Sequence, residues 1–316
     1  MENVSYVNKN FILLELVEME EFKSIFAIVC LSIYIFIMVL NSEIVVVILA
    51  EESLHQPMYI LLCNLLFNGM LGSSSFFPKL VVDLLTSSYL ISHAGCFIQV
   101  LGLITYTFYE CYSFSMMAYD RYLAVCHPLR YNILITKEKT LKLMVTAFVS
   151  SFTTVFVGVI LSARLSFCGA QIKNVFCDNL SLTILSCVRS PVNNFYGIII
   201  TIAWLLIALL TISYTYVKIL FVCLTISKEA HRKALHTVMT HILSFSIFLV
   251  GGLFLFVRFR LGDYSLPLYV HILLSIMFVV FPPLFNPLIN GIRTKALRDK
   301  IFHHLSNMHT MTSLRK

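Results

Sequence analysis

Asp120 and Arg121 stand where a long apolar run ends, in the string MAYDRYLAVCHPLRY (117–131). A carboxylate beside a guanidinium can serve as a releasable ion pair, because arginine is planar, permanently charged and rich in donors. The same pair can also be a plain interfacial anchor, since arginines at helix ends reach into lipid headgroups for purely structural reasons. Glu110 lies eleven residues earlier, about 16 Å deeper along a helix. An acid at that depth is costly and reads as functional by default. The chain has no Gly-rich phosphate loop, no HExxH and no paired CxxC, so nothing supports catalysis, a cofactor or a metal site.

These residues must be positioned by membrane-spanning helices. The chain has 316 residues, of which 59% are hydrophobic and 12% charged, whereas soluble domains carry about 25% charged residues. In hydrocarbon every backbone N–H and C=O needs an internal partner, which a helix supplies and a lone strand does not. Apolar runs near 24–50, 58–84, 94–126, 140–161, 195–224, 235–257 and 266–290 predict an all-α membrane protein, a bundle of seven transmembrane helices. The first run has no basic flank and no small-residue cleavage pattern, so it is expected to double as the targeting signal. The third run, roughly 33 residues and about 50 Å long, must tilt or extend into water.

The expected organisation is an extracellular tail (1–23), the bundle (24–291) and a cytoplasmic tail (292–316) in which RTKALRDKIFHHL forms a short amphipathic helix on the membrane. Fifteen of the 23 basic residues then fall on the cytoplasmic side, in keeping with positive-inside placement at the plasma membrane. The first inner loop, EESLHQP, runs against that bias, with Glu51 and Glu52 and no Lys or Arg. The formal charge of +7 suits a basic collar facing anionic membrane lipid and a protein partner rather than nucleic acid. Of nine cysteines, Cys96, Cys168, Cys177 and Cys187 lie outside and the others within spans or at inner ends. Only the outer four sit in an oxidising compartment, and four cysteines allow three pairings. Asn3-Val4-Ser5 is the favoured glycosylation sequon; Asn179-Leu180-Ser181 is close to Cys177.

The string around Asp120 and Arg121 resembles the third-helix signature of odorant receptors, a branch of the rhodopsin-like G-protein-coupled receptors. LHQPMY (54–59), SYTYVKIL (213–220), KALHTVMTH (233–241) and PPLFNPLIN (282–290) match other motifs of that family in order, from the first inner loop to the seventh helix. The resemblance implies a receptor, not an enzyme, that binds a small odorant and activates a heterotrimeric G protein of the olfactory, cAMP-raising type. It also implies that Arg121 pairs with Asp120 at rest and is freed on activation, with Tyr122, Tyr214, Lys233 and His241 around the opening cleft and Asn286, Pro287 and Asn290 in the seventh-helix switch. Asn290 departs from the family's usual Tyr. The disulfides implied are Cys96–Cys177 and Cys168–Cys187.

The family also places an acid at Glu110, facing an Asp on the second helix across a sodium or water site. Here the aligned position is Gly69, preceded by Asn68. Two expectations stay open: a hydrated polar cluster of Glu110 with Asn41, Asn64, Asn68 and Asn286, or a Glu110 that keeps its proton. The ligand face implied on the third helix comprises Val100, Ile104, Thr107, Phe108 and Cys111, at helical spacing, with Ile202, Leu253, Phe256 and Val279 opposite. Such a wall suits small lipophilic molecules held by burial. Leu103 stands where amine receptors carry their counter-ion, which disfavours amines; Arg260 could pair with a carboxylate or simply face water. A receptor for an internal lipid or metabolite is the nearest alternative. A transporter would require inverted repeats and broken helices, which the sequence lacks.

Overall fold

A computed structural model describes residues 10–17, 22–224, 239, 241–254, 268–292, 297–304 and 306. Seven helical segments carry most of them: α1 (Lys23–Ala50), α2 (Pro57–Thr86), α3 (His93–Cys126), α4 (Lys137–Ala163), α5 (Pro191–Cys223), α6 (His241–Phe254) and α7 (Leu268–Asn286). By length and composition, α1, α2, α4 and α5 each suffice to cross a membrane. Their outward faces remain apolar, as at Ile25, Val39, Val145 and Leu210, which is the pattern expected where lipid rather than water is the solvent. The buried helix, α3, is the one that carries Glu110 and Asp120, and it packs between its neighbours in three separate apolar clusters.

Local sequence sets the helix ends. Pro57 and Pro191 open α2 and α5 at the first turn, where proline's missing N–H would be unsatisfied anyway. Ser92 caps α3 by accepting from the Gly95 amide, and Thr136 caps α4 by accepting from that of Lys139. At Pro287 the α-helical ladder of α7 gives way to a π-helical turn, Pro287–Ile292. A proline there cannot donate to the carbonyl four residues back, that of Pro283, which accepts instead from the Asn41 side chain at 2.9 Å.

At one end of the bundle the chain builds a small sheet. Strand β1 (Asn10–Leu13) lies between β2 (Leu90–Ser92), antiparallel, and β3 (Gln171–Ile172), parallel. Phe11, Leu13 and Leu16 are buried against the helix ends, and Phe11 stacks on His93 at 4.3 Å. By composition alone this segment is only a tail. Two disulfides tie the same end: Cys96–Cys177 joins α3 to the loop after α4, and Cys168–Cys187 closes a shorter ring within that loop. This is the pairing the family resemblance implies. At the opposite end a helical segment, residues 297–304, buries Leu297 and Ile301 against Ile44, Val47 and Ile48 of α1.

Candidate functional site

Three constellations lie along α3. At its sheet-covered end, Val100, Ile104 and Phe108 form one wall of a cavity of about 180 Å³. Val155 and Val159 of α4, Ile200 and Thr201 of α5, and Asp178 to Leu180 of the disulfide-tied loop complete it. Phe108 stacks on Trp204 at 5.1 Å, and Tyr112 meets the same indole edge-on at 4.0 Å. The two rings hold Phe108 in place, which gives the cavity a rigid, apolar face for a small ligand.

The polar roof is already ordered. Both oxygens of Asp178 are engaged, one by the Leu180 and Ser181 amides and the other by the Ser181 hydroxyl and the Asn174 amide. Burial pushes this carboxyl above its usual range, and those hydrogen bonds pull the other way. Asn179 accepts from Ser162 of α4 at 2.6 Å, and Asn193 donates to the same hydroxyl at 3.1 Å. The Asn179 side chain therefore braces the cavity, which argues against a glycan on that sequon.

The expected ligand face is only partly gathered here. Thr107 donates to the Leu103 carbonyl at 2.8 Å rather than reaching the cavity wall. Cys111 lies a turn deeper, among Ala208, Ile212, Phe245 and Phe248. Ile202 is 45% exposed on the outer face of α5, and Leu253 is 37% exposed on α6. Ile202 faces away because helical geometry turns it from the side of α5 that Ile200 and Trp204 present inward. Val279 is buried in the core cluster that contains Val100 and Leu103. Phe256 and Arg260 lie outside the described residues. In their place stand α4 and the loop after it, which no motif in the sequence marks, while Trp204 backs Phe108 from behind the wall.

Below the cavity, Glu110 is fully buried and accepts from two amides, Asn68 at 2.6 Å and Asn286 at 2.8 Å. One carboxylate thus connects α2, α3 and the end of α7. Asn41 extends the link by donating to the Pro283 carbonyl at 2.9 Å. Asn64 belongs to a neighbouring set, accepting from the Tyr109 hydroxyl at 2.6 Å and donating to Ser113 at 3.2 Å. Gly69 explains the altered chemistry: a Cβ built there would stand 3.2 Å from the Pro283 Cβ. The space beside Gly69 belongs to α7, and Asn68 supplies the polar contact from one position earlier. Among the described residues no group of three or more His, Cys, Asp or Glu could hold a metal ion.

At the far end of α3 the Arg121 guanidinium lies 3.0 Å from the Asp120 carboxylate, which is almost wholly buried. The Tyr131 hydroxyl donates to the other Asp120 oxygen at 2.7 Å. Burial and the adjacent carboxylate push the Tyr131 phenol well above its ordinary range, so it remains a donor. Tyr59, Tyr216 and His241 are within electrostatic reach of Arg121. His241 is buried, and its Nδ1 has no hydrogen-bond partner among the described residues. Tyr122 meets His127 at 3.2 Å, and its ring lies 6.3 Å from that of Tyr214. Tyr214 is 58% exposed, with the Lys218 ammonium 5.8 Å from its ring. Asn286 reaches Glu110, and Pro287 begins the π-turn containing Asn290, whose side chain, like Lys233 and Asn3, lies outside the described residues.

The acidic loop EESLHQP, between α1 and α2, also lies at this end. Glu51 accepts from Lys300 at 2.7 Å, and Glu43 meets His304 at 3.0 Å. The Lys300 hydrogen bond holds the Glu51 carboxyl below its usual range. The carboxy-terminal helix thus supplies, through Lys300, a positive charge that the loop's own sequence lacks.

Residues 29–308 match the family model described as olfactory receptor. The chain is 35% identical to Homo sapiens olfactory receptor 52B6 over 270 residues, 85% of this chain and 80% of that protein. It is 35% identical to Homo sapiens olfactory receptor 8H1 over 294 residues, 92% and 93% of the two chains. Over 306 residues it is 32% identical to Homo sapiens olfactory receptor 5K1, covering 94% and 96%.

Proposed function

The chain belongs to the olfactory receptor family, and from that membership we propose that it binds a small, mostly apolar odorant in the cavity beside Phe108 and activates a stimulatory, cAMP-raising G protein at Arg121. It is a multi-pass membrane receptor of the odorant type and not an enzyme. The proposed placement is the plasma membrane, with the sheet-covered end and the Asn3 sequon outside, the carboxy terminus in the cytoplasm and the basic collar against anionic lipid. The observation that carries the reading is the continuity of α3. One helix forms the cavity wall at Val100, Ile104 and Phe108, the buried Glu110 link to α7, and the Asp120–Arg121 pair. A ligand that shifts this helix therefore has a direct mechanical route to the guanidinium.

The cavity limits ligand size. About 150 Å³ of apolar space accommodates benzene, so 180 Å³ fits a compact molecule of comparable size, with the asparagine and threonine roof orienting one polar group. Activation then corresponds to release of Arg121 from Asp120, the carboxylate that Tyr131 holds by its other oxygen, which exposes a charged fork to the G protein. The test is a panel of small odorants applied to cells supplied with the olfactory G protein, with cAMP as the signal. The sole tryptophan, Trp204, gives an independent report of binding in purified receptor, because a ligand against Phe108 changes the environment of its stacked indole. A ligand that raises cAMP should shift Trp204 fluorescence, and Phe108→Ala should weaken both at least tenfold. A cAMP response with no indole change and no Phe108 dependence rules out this cavity.

A further inference from the structure

A second cavity, of about 320 Å³, lies between α1 and the carboxy-terminal helix, lined by Phe36, Val39, Leu40, Glu43, Ile44, Arg298, Ile301 and Phe302. We propose that this groove binds one anionic phospholipid, an acyl chain lying along Phe36, Val39 and Phe302 and its phosphate held by Arg298. The proposal deepens the reading of the basic end as lipid-facing and rests on the membrane topology given above.

Three observations identify the occupant. The walls are almost entirely apolar, and Phe36, Val39 and Phe302 stand more than half exposed, so in a bilayer hydrocarbon must cover them. The groove runs along α1 from Glu43 to Phe36, seven residues or about 10 Å of helix, which is the direction an acyl chain takes from the interface. Among the described residues that line the groove, Arg298 is the cation that no carboxylate from another element engages. Glu43 is met by His304, and Lys300 is committed to Glu51. The described carboxylate nearest Arg298 is its chain neighbour Asp299, at 3.8 Å from Nε, a weak and exposed contact. A guanidinium with spare donors at the water boundary matches a phosphate's paired oxygens better than any neutral group.

The test uses full-length receptor purified in mild detergent, without odorant, and measures by native mass spectrometry how much lipid is retained from equal mixtures of phosphatidylglycerol and phosphatidylcholine. The expected result is several-fold preferential retention of one phosphatidylglycerol, with the preference abolished in Arg298→Gln and kept in Arg298→Lys to a lesser degree. A phosphatidylglycerol carrying a photoreactive acyl chain should crosslink within residues 36–44 or 301–302. Equal retention of the two lipids, an unchanged preference in Arg298→Gln, or crosslinks confined to other helices overturns the proposal, as does displacement of the phospholipid by cholesterol. Trp204 fluorescence matching wild type confirms that Arg298→Gln is folded. Failure here would leave the odorant reading intact, because no ligand response enters the measurement.

Discussion

The two ends of the bundle are fastened by different kinds of bond. The sheet-covered end is held by two disulfides and a three-stranded sheet whose central strand comes from the amino-terminal segment. The other end is held by the Asp120–Arg121 pair, the Tyr131 hydroxyl and the contacts of Lys300 and His304 with α1 and its loop. Disulfides stay closed through ordinary thermal motion, whereas a hydrogen bond to a charged group contributes only about 1.5–3 kcal/mol. One end is therefore suited to keeping a cavity in shape, and the other to opening when something shifts α3.

Breaking the covalent side should have the largest effect. Cys96→Ala removes the 81-residue crosslink, and losing a native disulfide costs about 2–5 kcal/mol. The expected outcome is loss of folded receptor at the cell surface, read by antibody staining, together with a lowered melting temperature in detergent. Normal surface levels would show that the sheet alone keeps this end together. Arg121→Ala should instead preserve surface expression and the Trp204 response while cAMP signalling falls to background. If signalling survives, the guanidinium is not the release point.

Smaller effects should separate the parts of the reversible end. Tyr131→Phe removes one donor from Asp120 and nothing from the cavity, so basal cAMP should rise several-fold with the odorant concentration for half-maximal response unchanged or lowered. Lower basal activity would mean that Tyr131 supports the active form. Glu51→Gln should have the least effect, a modest loosening of the carboxy-terminal helix seen as faster amide exchange over residues 297–304. In the wild type, Glu51 is charged and its carboxyl is held below the usual range by Lys300. This contact is therefore fully present above the ordinary carboxylate pKa, about 4.3, and is lost as pH falls through the depressed value. Exchange that is insensitive to both acid and the substitution would show that Leu297 and Ile301 suffice to dock the helix.

Hydropathy made the helices legible because lipid solvation imposes the same demand on every span. Runs read at 24–50, 58–84 and 195–224 correspond to Lys23–Ala50, Pro57–Thr86 and Pro191–Cys223. Strand β1 was harder to see, although Phe11 and Leu13 alternate inward. Four residues acquire a strand's hydrogen bonds only by meeting Leu90–Ser92 and Gln171–Ile172, and local sequence does not encode such distant partners. The same limit applies to the cavity. Periodicity on α3 marks Val100, Ile104 and Phe108, but Val155 and Asn179 join them only through how α4 and its loop pack. Glu51 and Glu52 looked misplaced for the opposite reason: the cation that meets Glu51 arrives from Lys300 at the far end of the chain.

The contact between Gly69 and Pro283 also couples two helices through a missing side chain. Any residue with a Cβ at position 69 would stand 3.2 Å from the Pro283 Cβ, so α7 would have to give by a few tenths of an ångström, and the seat of Asn286 on Glu110 would move with it.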